Sequence, residues 1–334
     1  MPRPRTSIAG ILLGLGVSAA ALAIAIRWSG WASLLAALEQ VDYHLLIPAS
    51  IVYLVAMGAR GLAWQVILGG RAKLWRLLAA LNQGYLLNNL LPWRLGEIGR
   101  AVLLGRRPQL TPALVLSSIV VERLYDMVLA VGLLLALAPV AFQSPWAPQA
   151  ALIGGLAVVG AMAFLAVILR SPESSSRLLS RLPGGPARWE GVGRAVQDGL
   201  GTLKDVRQLT KGFGWMVVSW ALASLEYWLV LRAFIPEAPL AWALLALCVT
   251  LLGVAIPSAP GYVGVFEASA VAALAVFGVG GGIALGFALV LHALHFGITT
   301  VLGAGALAGE GETLVGAARA ARAWLSGSSV EQAG

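Results

Sequence analysis

The chain is short of nearly everything a soluble enzyme works with. It holds one cysteine and three histidines in 334 residues, and only 11% of its residues are charged, against about 25% in soluble domains. The lone Cys248 excludes an internal disulfide and a cysteine-based metal cluster. No phosphate-binding glycine loop, no serine-histidine-aspartate order and no paired-carboxylate catalytic motif occurs. His292 and His295, three apart, lack the third ligand that a zinc site needs. These absences point away from an enzyme and from any metal or cofactor.

What is there is apolar: 59% of the residues are hydrophobic and the mean hydropathy is +0.85. Runs of about 20 apolar residues, enough for a helix to cross the hydrocarbon of a bilayer, recur between short polar breaks. In lipid the backbone can bond only to itself, so such runs become helices. The pattern predicts spans over 7–26, 44–68, 111–138, 149–169, 213–235 and 283–308, and two apolar stretches interrupted in the middle, 77–104 and 241–279. At about 20 residues the first run is long for the core of a signal peptide, and it reads as a retained helix. The fold expected is an all-α polytopic membrane protein.

The net charge of +8 is not spread as a nucleic-acid binder would spread it. Eight basic and four acidic residues crowd into 170–211, a connector with a helical apolar spacing at Trp189, Val192, Val196, Leu200 and Leu203. Arg71, Lys73, Arg76, Arg106 and Arg107 flank the first interrupted stretch, while 139–148 and 236–240 hold no lysine or arginine. Basic loops stay in the cytoplasm, which places both termini inside. Trp28, Trp31, Tyr43, Trp75, Trp146, Trp215 and Trp242 lie near helix ends, as rings at the headgroup layer do.

That topology leaves 77–104 with both ends on one side and too few residues for two crossings. A re-entrant hairpin turning at Pro92 solves the problem, and 241–279 repeats it from the opposite face. Pro92 to Gly96 with Glu97, and Pro260 to Gly264 with Glu267, share a proline-x-x-x-glycine spacing followed by a carboxylate. Two oppositely oriented halves with broken helices are the pattern of inverted-repeat transporters. The expected layout is a first half over 1–169, the connector 170–211, a second half over 212–310 and a cytoplasmic tail over 311–334. Small-residue faces at Gly278 to Gly282 and Gly303-x-Gly305 suit helix packing within a subunit or in a homo-oligomer.

Amides freed at the start of a returning half-helix favour an anion, and Arg94 and Arg100 add full positive charge. Asn82, Asn88 and Asn89 precede the break, where they serve either a headgroup or helix packing. Gly96, Gly261 and Gly264 allow close backbone approach. Ionisable groups inside the bilayer cost about 2.5–3.5 kcal/mol each on insertion scales. Arg60, Glu122, Arg123, Asp126 and Glu226 are therefore read as helix-pinning ion pairs or as a gate, with Arg232 able to snorkel outward. Glu97, Glu122, Asp126 and Glu267 are candidate proton carriers, Glu97 and Glu267 first because they hold corresponding places.

The string Asn89-Leu-Leu-Pro-Trp-Arg-Leu-Gly-Glu-Ile-Gly-Arg100, then Glu122-Arg-Leu-Tyr-Asp126, then Pro257-Ser-Ala-Pro-Gly-Tyr-Val-Gly-Val-Phe-Glu267, resembles the flippase-like membrane region of lysylphosphatidylglycerol synthases and their stand-alone relatives. The resemblance implies an inner-membrane protein that moves an anionic phospholipid, or a polyprenyl-phosphate-linked sugar, between leaflets. The sequence given ends in ARAARAWLSGSSVEQAG, so the aminoacyl-transfer domain of the synthases is not expected. Two other functions stay open: secondary transport of a small anion, and a membrane-embedded enzyme acting on a lipid phosphate.

Overall fold

The computed structural model describes residues 8–91, 95–142, 206–256 and 258–325, and every regular element among them is helical. The expected span 149–169, most of the connector, and Pro92, Trp93, Arg94, Trp146 and Pro257 lie outside the described residues.

The first run is longer than its hydropathy suggests and it bends. Helix α1 spans Ile8–Ser29 and α2 spans Trp31–Glu39, with an angle of 76° between them. Gly30 makes the corner at φ 74°, a left-handed conformation that glycine adopts without strain. A short 3₁₀ turn at Tyr43–Leu45 leads into α3, Leu46–Ile67. The first interrupted stretch is two helices, α4 at Leu74–Leu90 and α5 at Leu95–Gly105, followed by α6 at Pro112–Phe142.

Helix α7, Val206–Phe234, starts seven residues before the expected 213, so the end of the basic connector is its first turns. The second interrupted stretch holds α8, Leu240–Gly253, a 3₁₀ turn at Pro260–Tyr262 and α9, Val265–Ala275. Helix α10 is Gly281–Gly309 and α11 is Leu314–Leu325. The segment read as a tail is thus partly structured: Leu314 and Ala317 of α11 pack on Leu86, Leu87 and Leu103. Arg106 and Arg107 pair with Glu312 and Glu310 at 2.5 Å. Its alternation of alanine pairs with Arg319 and Arg322 hid an amphipathic helix.

Segment Tyr43–Ile67 and helices α7 and α10 are each long and apolar enough to cross a membrane, and α1 with α2 qualifies as a bent fourth. Ile47, Ile51, Leu54 and Val55 on α3, Val217 and Val218 on α7, and Val301 and Leu302 on α10 are exposed. Such apolar outer faces are a liability in water and the norm in lipid. Trp28, Trp31, Tyr43 and Trp75 are likewise exposed at helix ends, whereas Trp215, also exposed, is the tenth residue of α7 because that helix starts earlier than expected.

Helix α3 lies along α7, antiparallel, since Gln208 bonds the Ile67 carbonyl at 2.7 Å while Ser219 bonds that of Ala56 at 3.0 Å. Helices α4 and α5 form one hairpin and α8 and α9 another. The first closes on glycine: a Cβ on Gly96 would collide with the Gly84 carbonyl, and one on Gly99 with Leu87. In the second, a Cβ on Gly253 would strike Ser269. Helix α4 packs on α10 and α8 on α6; α5 lies on α6 and α9 on α10. The two breaks meet: Gly261 sits against the Asn89 carbonyl and the Phe296 ring.

Candidate functional site

Between the hairpins lies a cavity of about 270 Å³, walled by α3, α4, α5, α7 and α10. It is large enough for a phosphate with a small polar substituent and too small for a long-chain lipid.

On one wall, charges from three helices are tied together. Arg60 of α3 reaches Asp126 with both nitrogens, Nη2 to Oδ1 at 2.7 Å and Nη1 to Oδ2 at 3.1 Å, and Nη1 also donates to Glu122 Oε1 at 2.6 Å. Arg123 Nη2 meets Glu122 at 3.0 Å, its Nη1 meets Asp126 at 3.2 Å, and its Nε faces Glu97 at 3.4 Å. Trp220 of α7 donates its indole N–H to Asp126 Oδ1 at 3.0 Å. Both carboxylates of α6 are fully buried, at 0% and 1% exposure. They can be so only because each is bonded by several donors. The spacing of Glu122 and Asp126, four residues apart, puts them on one helix face.

Arg100 is the least satisfied cation in this wall, although Arg123 Nε also lacks a hydrogen-bond partner among the described residues. Arg100 is 2% exposed, one nitrogen meets Glu122 Oε2 at 3.2 Å, and its guanidinium lies 4.9 Å from the Trp64 ring. Among the described residues its Nε and Nη1 have no hydrogen-bond partner. A buried donor left unmade costs about 1–3 kcal/mol, more when charged, so two such groups on a residue lining a cavity mark an unmet need for an acceptor.

The opposite wall carries histidines. His292 Nδ1 lies 2.6 Å from Glu267 Oε1, and His295 Nε2 lies 2.6 Å from Glu226 Oε1. His295 stacks on Tyr53 with centroids 4.4 Å apart, and His292 tilts against Phe266 at 4.7 Å. The partners of the histidines were not legible in the sequence. The available signal was a count: helices α7 to α10 hold just two buried carboxylates and two histidines. Trp220 was missed too; it has no motif around it.

Of the residues picked from sequence, Asn88, Asn89, Gly96, Glu97, Arg100, Arg60, Arg123 and Glu226 line the cavity. Glu122 and Asp126 stand directly behind it through their arginines. Asn82 does not reach it; its amide bonds the Leu78 carbonyl at 2.8 Å and the Met57 sulfur at 3.1 Å. Asn89 bridges to Thr299 and Thr300 at 3.0 and 3.1 Å, tying α4 to α10. Pro260 and Gly261 shape the second break, with Gly261 at φ 69° and its neighbour Tyr262 at φ 61°. Tyr262 lines the cavity in a conformation costly for a side chain of its size. Gly264 packs on the Ser18 carbonyl of α1, where no Cβ fits. Pro92 and Arg94 lie outside the described residues.

The free amides expected at the returning half-helices are partly occupied. Asn88 Oδ1 accepts from the Gly96 N–H at 2.9 Å, and Glu267 Oε2 from the Gly264 N–H at 2.6 Å. Helix-start donors are seldom left empty when a neighbouring side chain reaches them. Donors for an anion in the cavity are therefore supplied more by arginine than by bare backbone.

A second cavity, of about 420 Å³ and almost wholly apolar, opens between α6, α7 and α8. Leu129, Leu133, Val217, Leu225, Trp228 and Leu244 line it, and Trp220 borders both spaces.

A polytopic helical membrane protein with a charged interior cavity is what these elements define. The model of the lysylphosphatidylglycerol synthase transmembrane region matches residues 11–303, and the chain belongs to that family. It is also 26% identical over 298 residues to a UPF0104 membrane protein of Methanothermobacter thermautotrophicus, an alignment covering 84% of this chain and 87% of that protein.

Proposed function

We propose that the protein is a lipid translocase of the inner membrane, passing an anionic phospholipid or a polyprenyl-phosphate-linked sugar from leaflet to leaflet. The carrying observation is Arg100, a buried guanidinium on the wall of an interior cavity with two nitrogens unpartnered among the described residues. The headgroup phosphate fills that need, and the hydrocarbon chain lies in the apolar space beyond Trp220.

The arrangement of the helices supports two inverted halves. Helices α3 and α7, each just before a hairpin, run antiparallel. Each hairpin rests its first helix on the long helix that follows the other hairpin. Re-entrant hairpins whose tips meet inside the bilayer follow from this reading, with both termini cytoplasmic. Irregular backbone at that depth is tolerated where it borders a protein cavity, and here Gly261 abuts Asn89. The protein acts without covalent chemistry in this reading.

The test is leaflet exchange. Purified protein is reconstituted in liposomes carrying labelled lipids of several headgroup classes. One anionic class should exchange at least tenfold faster than in protein-free vesicles, and Arg100→Gln should abolish the gain. Uptake of a soluble anion with no lipid exchange would identify a small-anion transporter instead, and a lipid of changed mass would identify an enzyme.

A further inference from the structure

An anion entering the cavity meets an electrostatic obstacle. Arg60, Arg100 and Arg123 are matched by Glu97, Glu122 and Asp126, so the α3–α5–α6 wall is neutral before any ligand arrives. With neutral imidazoles the other wall adds a full negative charge from each of Glu226 and Glu267. Among the described residues the site is then net negative, and in a low-dielectric interior that opposes a phosphate strongly.

Resting on the reading of this cavity as an anion site, we infer that the anion enters together with protons, taken up by the His292–Glu267 and His295–Glu226 pairs. An ionised carboxylate only accepts, so in each pair the bonded ring nitrogen carries the hydrogen. The other nitrogen, Nε2 of His292 and Nδ1 of His295, has no hydrogen bond among the described residues and can take a proton from water. One proton turns each pair from negative to neutral, and the charge belongs to the pair rather than to either residue. With both pairs protonated the walls no longer repel the phosphate.

The surroundings suit a cation. Tyr53 of α3 stacks on His295, Phe266 of α9 lies against His292, and aromatic faces attract positive charge. Tyr227 of α7 lies 6.1 Å from His295, and its hydroxyl is held by Thr250 at 3.0 Å. Tyr85 of α4 and Tyr262 of the 3₁₀ turn face the same cavity, as do Arg60, Arg100, Arg123 and Glu97 from across it. Helices α1 and α2 also pack on α10, but Arg27 and Glu39 there are exposed. No other charged residue occurs on α10 itself.

Proton counting tests this. The full chain in nanodiscs, in weakly buffered solution with a pH indicator, receives dihexanoylphosphatidylglycerol, farnesyl phosphate or inorganic phosphate between about pH 5 and 8, the interval in which histidine generally changes charge. After subtraction of the probe's own titration, binding should draw protons from solution, and affinity should fall up to about tenfold per pH unit for each proton coupled. H292Q and H295Q should each remove part of the uptake. The wild-type count needs no variant, so an unstable substitution does not leave the matter open. Uptake with either lipid or with inorganic phosphate supports the coupling, and a preference for the lipids identifies the source of the phosphate. Affinity independent of pH with no proton uptake overturns the coupling and leaves the anion site standing. Failure of all three probes to bind overturns the anion site, and the coupling with it.

Discussion

The two walls of the cavity are built to one plan from different chemistry. On one side helices α3, α5 and α6 meet through arginines and carboxylates; on the other, α7, α9 and α10 meet through histidines and carboxylates. Arginine keeps its charge at any pH a cell meets, whereas histidine does not. The first wall is therefore a fixed scaffold and the second an adjustable one. Both walls hold helices together through buried carboxylates, but with partners of different response to protons.

The comparison breaks most severely at the first wall. Replacing Glu122 by Ala leaves Arg60, Arg100 and Arg123 short of a buried counter-charge, and such losses cost about 3–5 kcal/mol. Thermal unfolding of the detergent-purified variant should show a large drop in midpoint or no folded protein at all. Replacing the Arg60–Asp126 pair by two leucines should be milder than Arg60→Leu alone, since Arg100 and Arg123 then still balance Glu97 and Glu122.

The hairpin contacts come next. Gly96→Ala drives a methyl into the Gly84 carbonyl, and Gly264→Ala meets the Ser18 carbonyl from a backbone at φ 88°. Overpacking costs about 1–3 kcal/mol, and Gly264→Ala should lie at the upper end because left-handed strain is added. Unfolding midpoints of the two variants, measured side by side, decide the order. A smaller effect is expected at the second wall: Glu226→Gln keeps a hydrogen bond to His295, and should lower stability by only about 1 kcal/mol while flattening the pH dependence of transport. Smallest is Asn82→Leu, which loses a packing bond of the kind worth about 0.6 kcal/mol between membrane helices and should leave lipid exchange at the wild-type rate.

The sequence disclosed the breaks and the charged residues, for local reasons. Pro92 and Pro260 withhold a backbone donor, and a lone charge in an apolar run is conspicuous. Partners were another matter. Arg60 and Asp126 are 66 residues apart, Glu226 and His295 are 69, and no periodicity links such distances. Glu97 and Glu267, paired by symmetry as proton carriers, sit differently: Glu97 faces Arg123, whereas Glu267 is divided between the Gly264 N–H and His292. The bend at Gly30 and the helix Leu314–Leu325 escaped because glycine and alanine carry little hydropathy signal.

A cryo-electron microscopy map of the protein in nanodiscs of anionic lipid tests the central claim most directly. The account predicts phosphate density within hydrogen-bonding reach of Arg100 Nε and Nη1, with its chain passing Trp220 into the apolar space between α6, α7 and α8. Straight, unbroken spans over 77–104 and 257–279, with every headgroup at the bilayer surface and the cavity around Arg100 open to bulk water, would contradict it.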